Sequence, residues 1–512
     1  MAEAPAPASH RTRVLLAACN ALLVALPFLL VEFPPVADMS QQVTQVRMYL
    51  DERREPTGGF ELQAPGPNRA GYLWLGAFCT LFGFEHGGRI GTLALAVLWV
   101  ACVHYLAARR QRAPEWAVLG SLWFFSFLLY WGLYNFMLGF CAFLGALACT
   151  MPPREGQPER PLARDLPLTF GFALLLAFCH VGWLHLLAVW TLFAWLMGLD
   201  RARRALPRLG AMLLVLAAAQ AWVSLHATTA KSVHAPTVLY ATQPFERLSP
   251  AWIVYASLGG LRGPWEAVAL AAALALAAAA LVCARHRPKY GVESSFLWLG
   301  GALLVAVFVL PDRVGYAIEF STRWMPPALT LLVLGLPALP VAGRVPAWAI
   351  PAAGLALFVA VTCAAWRAVE REELSGVRPA LEALPERARV VGLDFVRDSR
   401  YIERRPFLHV FAWAGAWKGA RLNFDFTHFR ANLVARPEDW TPPWTRGLEW
   451  KPELLHENDL KFFDYAILGG AGEIHATVGN QKGFVPVTDT GIWRLYRIES
   501  SRLSPGAAAP AP

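Results

Sequence analysis

Asp38 follows the first apolar run directly, in Val31-Glu32-Phe33-Pro34-Pro35-Val36-Ala37-Asp38. A carboxylate at the face of a membrane span can accept, or orient, the proton of an attacking hydroxyl. The same residue also suits a helix N-cap, since Asp38-Met39-Ser40-Gln41 opens a helical pattern. Arg323 stands at the mouth of a later span, in Glu319-Phe320-Ser321-Thr322-Arg323-Trp324. It can clamp a phosphate or snorkel to lipid headgroups. His180 and His185 share the turn Cys179-His180-Val181-Gly182-Trp183-Leu184-His185. Two imidazoles can line a polar cavity or ligate a metal, but no acidic partner is adjacent. No CxxC or Cys/His metal spacing occurs anywhere.

Long apolar segments must position these residues. The chain has 512 residues, of which 56% are hydrophobic, and its mean hydropathy is +0.39. These values lie outside the usual range of a soluble domain. Apolar runs of roughly 16–20 residues recur between short charged loops, as in a polytopic helical membrane protein. Many of the 21 Trp lie near span ends, where an interfacial belt places them. The net charge of +9 comes mainly from Arg clusters in short loops, such as Arg201-Ala202-Arg203-Arg204. Anionic lipid and the positive-inside rule account for these clusters, so nucleic acid is not an expected partner. All eight Cys lie between Cys19 and Cys363, in or beside apolar runs.

Arg11 and Arg13 precede the first span, at roughly 14–31, and place the N-terminus inside. Residues 1–13 read as a disordered cytoplasmic tail, and 32–88 as a first outer loop with interfacial helices. The segment 70–84 is short for a span. If it lies in the interface, Arg109, Arg110 and Arg112 fall inside, as the charge rule prefers. The remaining spans then fall at roughly 89–108, 115–131, 134–151, 167–181, 184–199, 209–226, 265–284, 295–311, 325–341 and 346–366. This makes about eleven transmembrane helices in a domain over 14–366. From about residue 368 the composition changes. Residues 388–396, 463–468, 484–487 and 492–498 read as strands. They predict an extracytoplasmic α/β domain over 367–500, followed by a disordered tail over 501–512.

Four pieces of the early chain carry a resemblance. They are Asp38 after the first span, Pro67-Asn68-Arg69-Ala70-Gly71-Tyr72 opening an interfacial helix, Leu81-Phe82-Gly83-Phe84-Glu85 leading to Arg89, and the pair Arg109-Arg110. In these the chain resembles bacterial GT-C-type membrane glycosyltransferases, the superfamily of the protein O-mannosyltransferases and aminoarabinose transferases. It is more closely similar to uncharacterised GT-C-like bacterial membrane proteins, through Asn135-Phe136-Met137-Leu138-Gly139-Phe140 and His185-Leu186-Leu187. The likeness covers residues 10–200, and more weakly 295–366. Two departures stand out. Gln41 and Gln42 occupy the region where relatives place a His, and Tyr134-Asn135 stands where better-known transferases carry a second acidic residue.

The resemblance implies a GT-C-like fold in the bacterial inner membrane, with the N-terminus cytoplasmic and the C-terminal domain periplasmic. It implies transfer of a sugar from a polyprenyl-phosphate carrier to an envelope glycan, lipid or protein. Asp38 would be the base or orienter. Arg323, Tyr72, Asn68, Asn135, His180 and His185 would contact substrate. Membrane lipid, the lipid-linked donor and an envelope acceptor are the expected partners. No cofactor is expected outright; a divalent metal stays open, and the missing second carboxylate counts against it. Two other classes remain. One is a non-catalytic or transport protein that keeps the fold. The other is an envelope polysaccharide polymerase or ligase.

Overall fold

A computed structural model describes the chain except for residues 1–8, 58, 65, 152–160, 228–237, 287–292, 316, 340–344, 430–431, 438, 480–482 and 500–512. The expected tail 501–512 and most of the tail 1–13 therefore lie outside the described residues. The first helix runs His10–Leu30, and its cap is Ser9, whose hydroxyl accepts from the Thr12 N–H.

Among the described residues, six helices are long and apolar enough to cross a membrane: His10–Leu30, Ala70–Arg109, Leu162–Leu196, Ala202–His226, Trp265–Ala284 and Ala349–Glu373. Two of them, Ala202–His226 and Trp265–Ala284, have only 17% of their apolar window buried. Leu214, Leu225 and Leu274 stand exposed on them. Apolar surface of this kind, on helices of this length, is matched by lipid tails and not by water.

Breaks in the helices separate the structure from the span-by-span expectation. Residues 70–109 form one helical stretch folded back on itself at Gly83, with φ at +77°. The first arm packs antiparallel on the second, and the Trp74 indole N–H donates to the Gly91 carbonyl at 2.7 Å. The segment 70–84 is thus a short arm lying against the next helix. The expected span 115–131 is instead a helix Pro114–Gly120, a tighter 3-10 turn Ser121–Phe125 and a second short helix Phe127–Trp131. The expected spans 167–181 and 184–199 are one stretch, Leu162–Leu196, broken at His180, where the backbone is extended (φ −163°, ψ 111°). The expected span 325–341 is a shorter helix, Met325–Gly335, whose last carbonyls accept from the Arg112 guanidinium. At the loop after Leu196, Arg208 bridges Asp165 (2.6 Å) and Asp200 (2.9 Å) in a fully buried cluster.

Beyond Glu373 the chain forms a five-stranded mixed sheet. Its second strand, Arg389–Asp394, runs parallel to both neighbours, Arg421–Leu422 at the edge and Tyr465–Gly469 at the centre. Trp493–Ile498 is antiparallel to Tyr465–Gly469, and Phe484–Pro486 pairs with it at the other edge. The expected terminal hairpin is therefore present. Asp394 ends the strand Arg389–Asp394, and its carboxylate accepts from the Val396 and Arg397 N–H groups.

The helix Met39–Arg54 joins the two halves. Its sequence is polar, yet Ser40, Gln41, Gln42, Thr44 and Gln45 are all buried. They bond mostly to backbone groups of the C-terminal domain. Ser40 donates to the His409 carbonyl (2.6 Å) and Thr44 to the Ala412 carbonyl (2.8 Å), while Gln45 accepts from the Val434 N–H (3.0 Å). A two-residue ladder, Glu61 with Ala435 and Leu62 with Val434, adds a second seam.

Two predictions follow from the packing. A Cβ at Gly87 would lie 2.4 Å from the Cys79 Cα, so Gly87→Ala must push the hairpin arms apart. The expected cost is about 1–3 kcal/mol, read as a lower melting temperature in lipid nanodiscs. Burial pushes the Asp394 carboxyl above the usual carboxylate range, against its two N–H donors. A raised carboxyl stabilises the fold while protonated and loses that contribution as pH rises through its folded value. Asp394→Asn keeps an oxygen acceptor and carries no charge. Its melting temperature relative to wild type should therefore climb from acid to neutral pH, and a margin that shrinks would contradict the assignment.

Candidate active site

Asp38 sits at the N-terminal end of the Met39–Arg54 helix, but its side chain makes no capping bond. The backbone holds it in place. The Ala37 N–H donates to the Tyr130 carbonyl (2.9 Å) and the Asp38 N–H to the Trp131 carbonyl (3.3 Å). Gly132, at φ +87°, turns the partner segment away just there, and a Cβ on it would meet Asp38. Gln42 fixes the same turn by donating to the Gly132 carbonyl at 2.7 Å. The carboxylate, freed from capping, points to His409 of the C-terminal domain, with 3.1 Å between Oδ1 and Nδ1.

His409 is itself held on three sides. Its carbonyl takes the Ser40 hydroxyl, its ring stacks on Phe424 (16° between planes, 5.6 Å), and Phe426 meets it edge-on. Among the described residues its Nε2 is buried with no hydrogen-bond partner. Since Asp38 accepts only a proton-bearing nitrogen, the contact favours the Nδ1–H tautomer and leaves Nε2 as an acceptor.

Arg323 lies on the short turn Thr322–Trp324, which opens the Met325–Gly335 helix. Its guanidinium donates to the Ile318 carbonyl (3.0 Å) and lies within electrostatic reach of both Glu319 and Asp38. Tyr72 and Tyr134 are buried within the same reach of Asp38. The Tyr72 hydroxyl donates to Asn432 (2.6 Å), and the Tyr134 hydroxyl bonds Thr92 (2.7 Å). Arg404 was invisible to motif reasoning. It comes from the C-terminal domain, donates to Glu319 (3.3 Å) and lies flat over the Tyr255 ring at 3.6 Å. Among the described residues its Nη2 is buried without a hydrogen-bond partner.

The other expected substrate contacts have local work. Asn68, at φ +61°, accepts from the Val181 N–H (2.9 Å), while the Asn68 and Arg69 N–H groups donate to the Ala177 and Phe178 carbonyls. Together they satisfy the backbone groups that the break at His180 sets free. Asn135 accepts from the Gly71 N–H (2.6 Å), in the first turn of the 70–109 stretch. His180 accepts from the Gly182 N–H and meets the Phe136 ring edge-on, with Arg323 in electrostatic reach. His185 is exposed and bonds the Val181 carbonyl one turn back. The structure thus gathers Asp38, Tyr72 and Arg323, with His180 at their margin. Asn68, Asn135 and His185 are engaged in the backbone around them. Among the described residues no three His, Cys, Asp or Glu side chains converge as metal ligands.

No family model and no curated protein matches the sequence. Two solved structures do match in three dimensions. The crystal structure of ArnT from Cupriavidus metallidurans in the apo state superposes with a TM-score of 0.58 at 12% identity, covering 96% of this chain and 98% of that one. The same protein bound to undecaprenyl phosphate gives 0.57 at 13% identity, covering 97% and 100%. The fold is that of ArnT. The ArnT-like fold accounts for nearly the whole chain. With six apolar helices, the ArnT-like fold makes this a multi-pass membrane protein.

Asn68→Ala removes the side-chain oxygen that accepts from the Val181 N–H. It should destabilise the protein by about 0.5–1.5 kcal/mol, the net worth of one hydrogen bond. Thermal unfolding in nanodiscs measures it, and an unchanged melting temperature would remove Asn68 from the break.

Proposed function

We propose that the chain is a membrane glycosyltransferase that moves a sugar from a polyprenyl-phosphate carrier to an envelope acceptor. The observation that carries this reading is the Asp38–His409 pair, held at the junction of the two halves with Arg323 in electrostatic reach. The ArnT structure bound to undecaprenyl phosphate supports a donor of that class. The C-terminal domain would then face the periplasm, with the N-terminus in the cytoplasm and about eleven crossings between them.

The chemistry balances on the residues present. The acceptor oxygen attacks the anomeric carbon as the bond from that carbon to the phosphate oxygen breaks. The hydroxyl proton passes to the Asp38 carboxylate, and the polyprenyl phosphate leaves with the bonding electrons. Arg323 offsets the charge that develops on it. Arg404 offers a second guanidinium close by, with its Nη2 unengaged. His409 is a positioning residue: its Nδ1–H holds the carboxylate in one orientation. Tyr72 lines the pocket beside Asp38, while Asn68, Asn135, His180 and His185 shape its walls.

A second reading has one observation behind it. Asn135 stands where better-known relatives carry an acid, and its oxygen is committed to the Gly71 N–H. A scaffold that has kept the fold and lost the chemistry would look the same there. A polymerase or ligase using the same carrier would tolerate loss of Asp38.

Turnover of polyprenyl-phosphate sugars in nanodiscs, read as released polyprenyl phosphate, separates these readings. Asp38→Asn should lower turnover by about 10²–10⁴-fold, the usual contribution of a positioned base. His409→Ala should lower kcat with little change in KM and shift the acid limb of the pH profile, which a purely structural role would not do. Turnover that survives Asp38→Asn intact would favour the polymerase or ligase. No turnover by wild type across a broad donor panel would favour the inert scaffold.

A further inference from the structure

The C-terminal domain carries a second cleft that the transfer chemistry does not use. It is lined by Asp394, Arg397, Arg405, Leu408, Glu449 and Trp450 and is a shallow, open cleft with an inner volume of about 40 Å³. Its position follows from the sheet. From the strand Arg389–Asp394 the chain pairs first on one side, as Arg421–Leu422, and then on the other, as Tyr465–Gly469. The strand order reverses at Arg389–Asp394, and in open α/β sheets the crevice beyond the carboxyl ends at such a switch point is where ligands bind. Asp394 is the last residue of that strand.

The side chains there are free to act. The Trp450 ring is 45% exposed, unusual for so large an aromatic surface. Arg405 rests 5.8 Å from its centroid and makes no ion pair among the described residues. Glu449 is half-buried and likewise without an ion pair among the described residues; burial pushes its carboxyl up, and His409 and His428 lie within electrostatic reach. Arg397 is already paired with Glu453 at 2.6 Å. Asp394 and Glu449 thus bring two carboxylates to a lining whose one unpaired guanidinium is Arg405, and the cleft has no surplus cation for a phosphate or a uronate. An open aromatic face, two carboxylates and one free guanidinium are the groups that take the apolar face and the hydroxyls of an uncharged pyranose.

We propose that this cleft binds a neutral sugar unit of a glycan, with Trp450 stacking on the ring and Asp394, Glu449 and Arg405 bonding its hydroxyls. Leu408 lines the cleft and precedes His409, the partner of Asp38, so a glycan seated here reaches toward the transfer site. Only the description of that glycan as the acceptor rests on the transferase reading; binding itself does not.

Saturation-transfer NMR on the full-length protein in nanodiscs tests it without any donor. The probes are maltotriose, cellotriose, chitotriose and mannotriose, with glucuronic acid and inorganic phosphate as charged probes. At least one neutral trisaccharide should bind, with affinity falling about tenfold in Trp450→Ala, while Trp450→Phe retains it. Because Trp450 is exposed, the melting temperature of Trp450→Ala should match wild type. The proposal is overturned if none of the four binds, if binding is unchanged in Trp450→Ala, or if only a charged probe binds. Polyprenyl phosphate release is scored separately, so a protein that binds sugar but turns nothing over refutes the transferase reading alone.

Discussion

A polar helix buried between two halves of the molecule is the constraint on which the rest depends. Met39–Arg54 seats Met39, Val43 and Val46 in the core, but these apolar contacts alone do not fix its direction. Ser40, Thr44 and Gln45 bond backbone groups of residues 409, 412 and 434, more than 350 positions away. Each such bond contributes only about 0.5–1.5 kcal/mol net. Each becomes expensive to break while the interface stays dry, because both donor and acceptor are then orphaned. The contact is therefore close to all-or-none. A helix held in this way fixes the residue at its N-terminal end in both position and direction, and that residue is Asp38.

The same logic explains why so many helices are broken around Asp38. A chain that spans lipid must satisfy its backbone internally, and a cavity needs helices that stop or bend part-way. The break at His180 is affordable because Asn68 and the Asn68 and Arg69 N–H groups take up its free backbone groups. The start of the 70–109 stretch is tolerated because Asn135 accepts from Gly71. Residues that look like ligands in the sequence thus satisfy the backbone of the broken helices around Asp38.

This is also where sequence reading stops short. The strands of the C-terminal domain were legible because β-branched and aromatic runs between turn residues have no competing explanation. The charge rule set 70–84 apart from the helix after it, and the structure does fold the two arms against each other at Gly83. Asp38 stood out because an isolated acid at the end of an apolar run has little other reason to be there. His409 and Arg404 gave no such signal. His409 lies in Phe407-Leu408-His409-Val410-Phe411, which reads as core, and its partner is 371 residues away. Arg404 lies in Glu403-Arg404-Arg405, which reads as a solvated surface. The breaks within 115–131 and at His180 were hidden too. Hydropathy measures how well a segment suits lipid, not whether its backbone is continuous.

Charge completes the argument for why both halves are needed. Arg323 belongs to the membrane part and Arg404 to the C-terminal domain, and Glu319 lies beside both. Arg404 is buried, and Glu319 accepts from its guanidinium. Asp38 and Glu319 both lie within electrostatic reach of Arg323, so two carboxylates stand against the two guanidiniums. Among the described residues the Arg404 Nη2 is buried without an acceptor. The arrangement joins groups from both parts, and it exists only while the C-terminal domain is docked. The polar helix that carries Asp38 is what docks it.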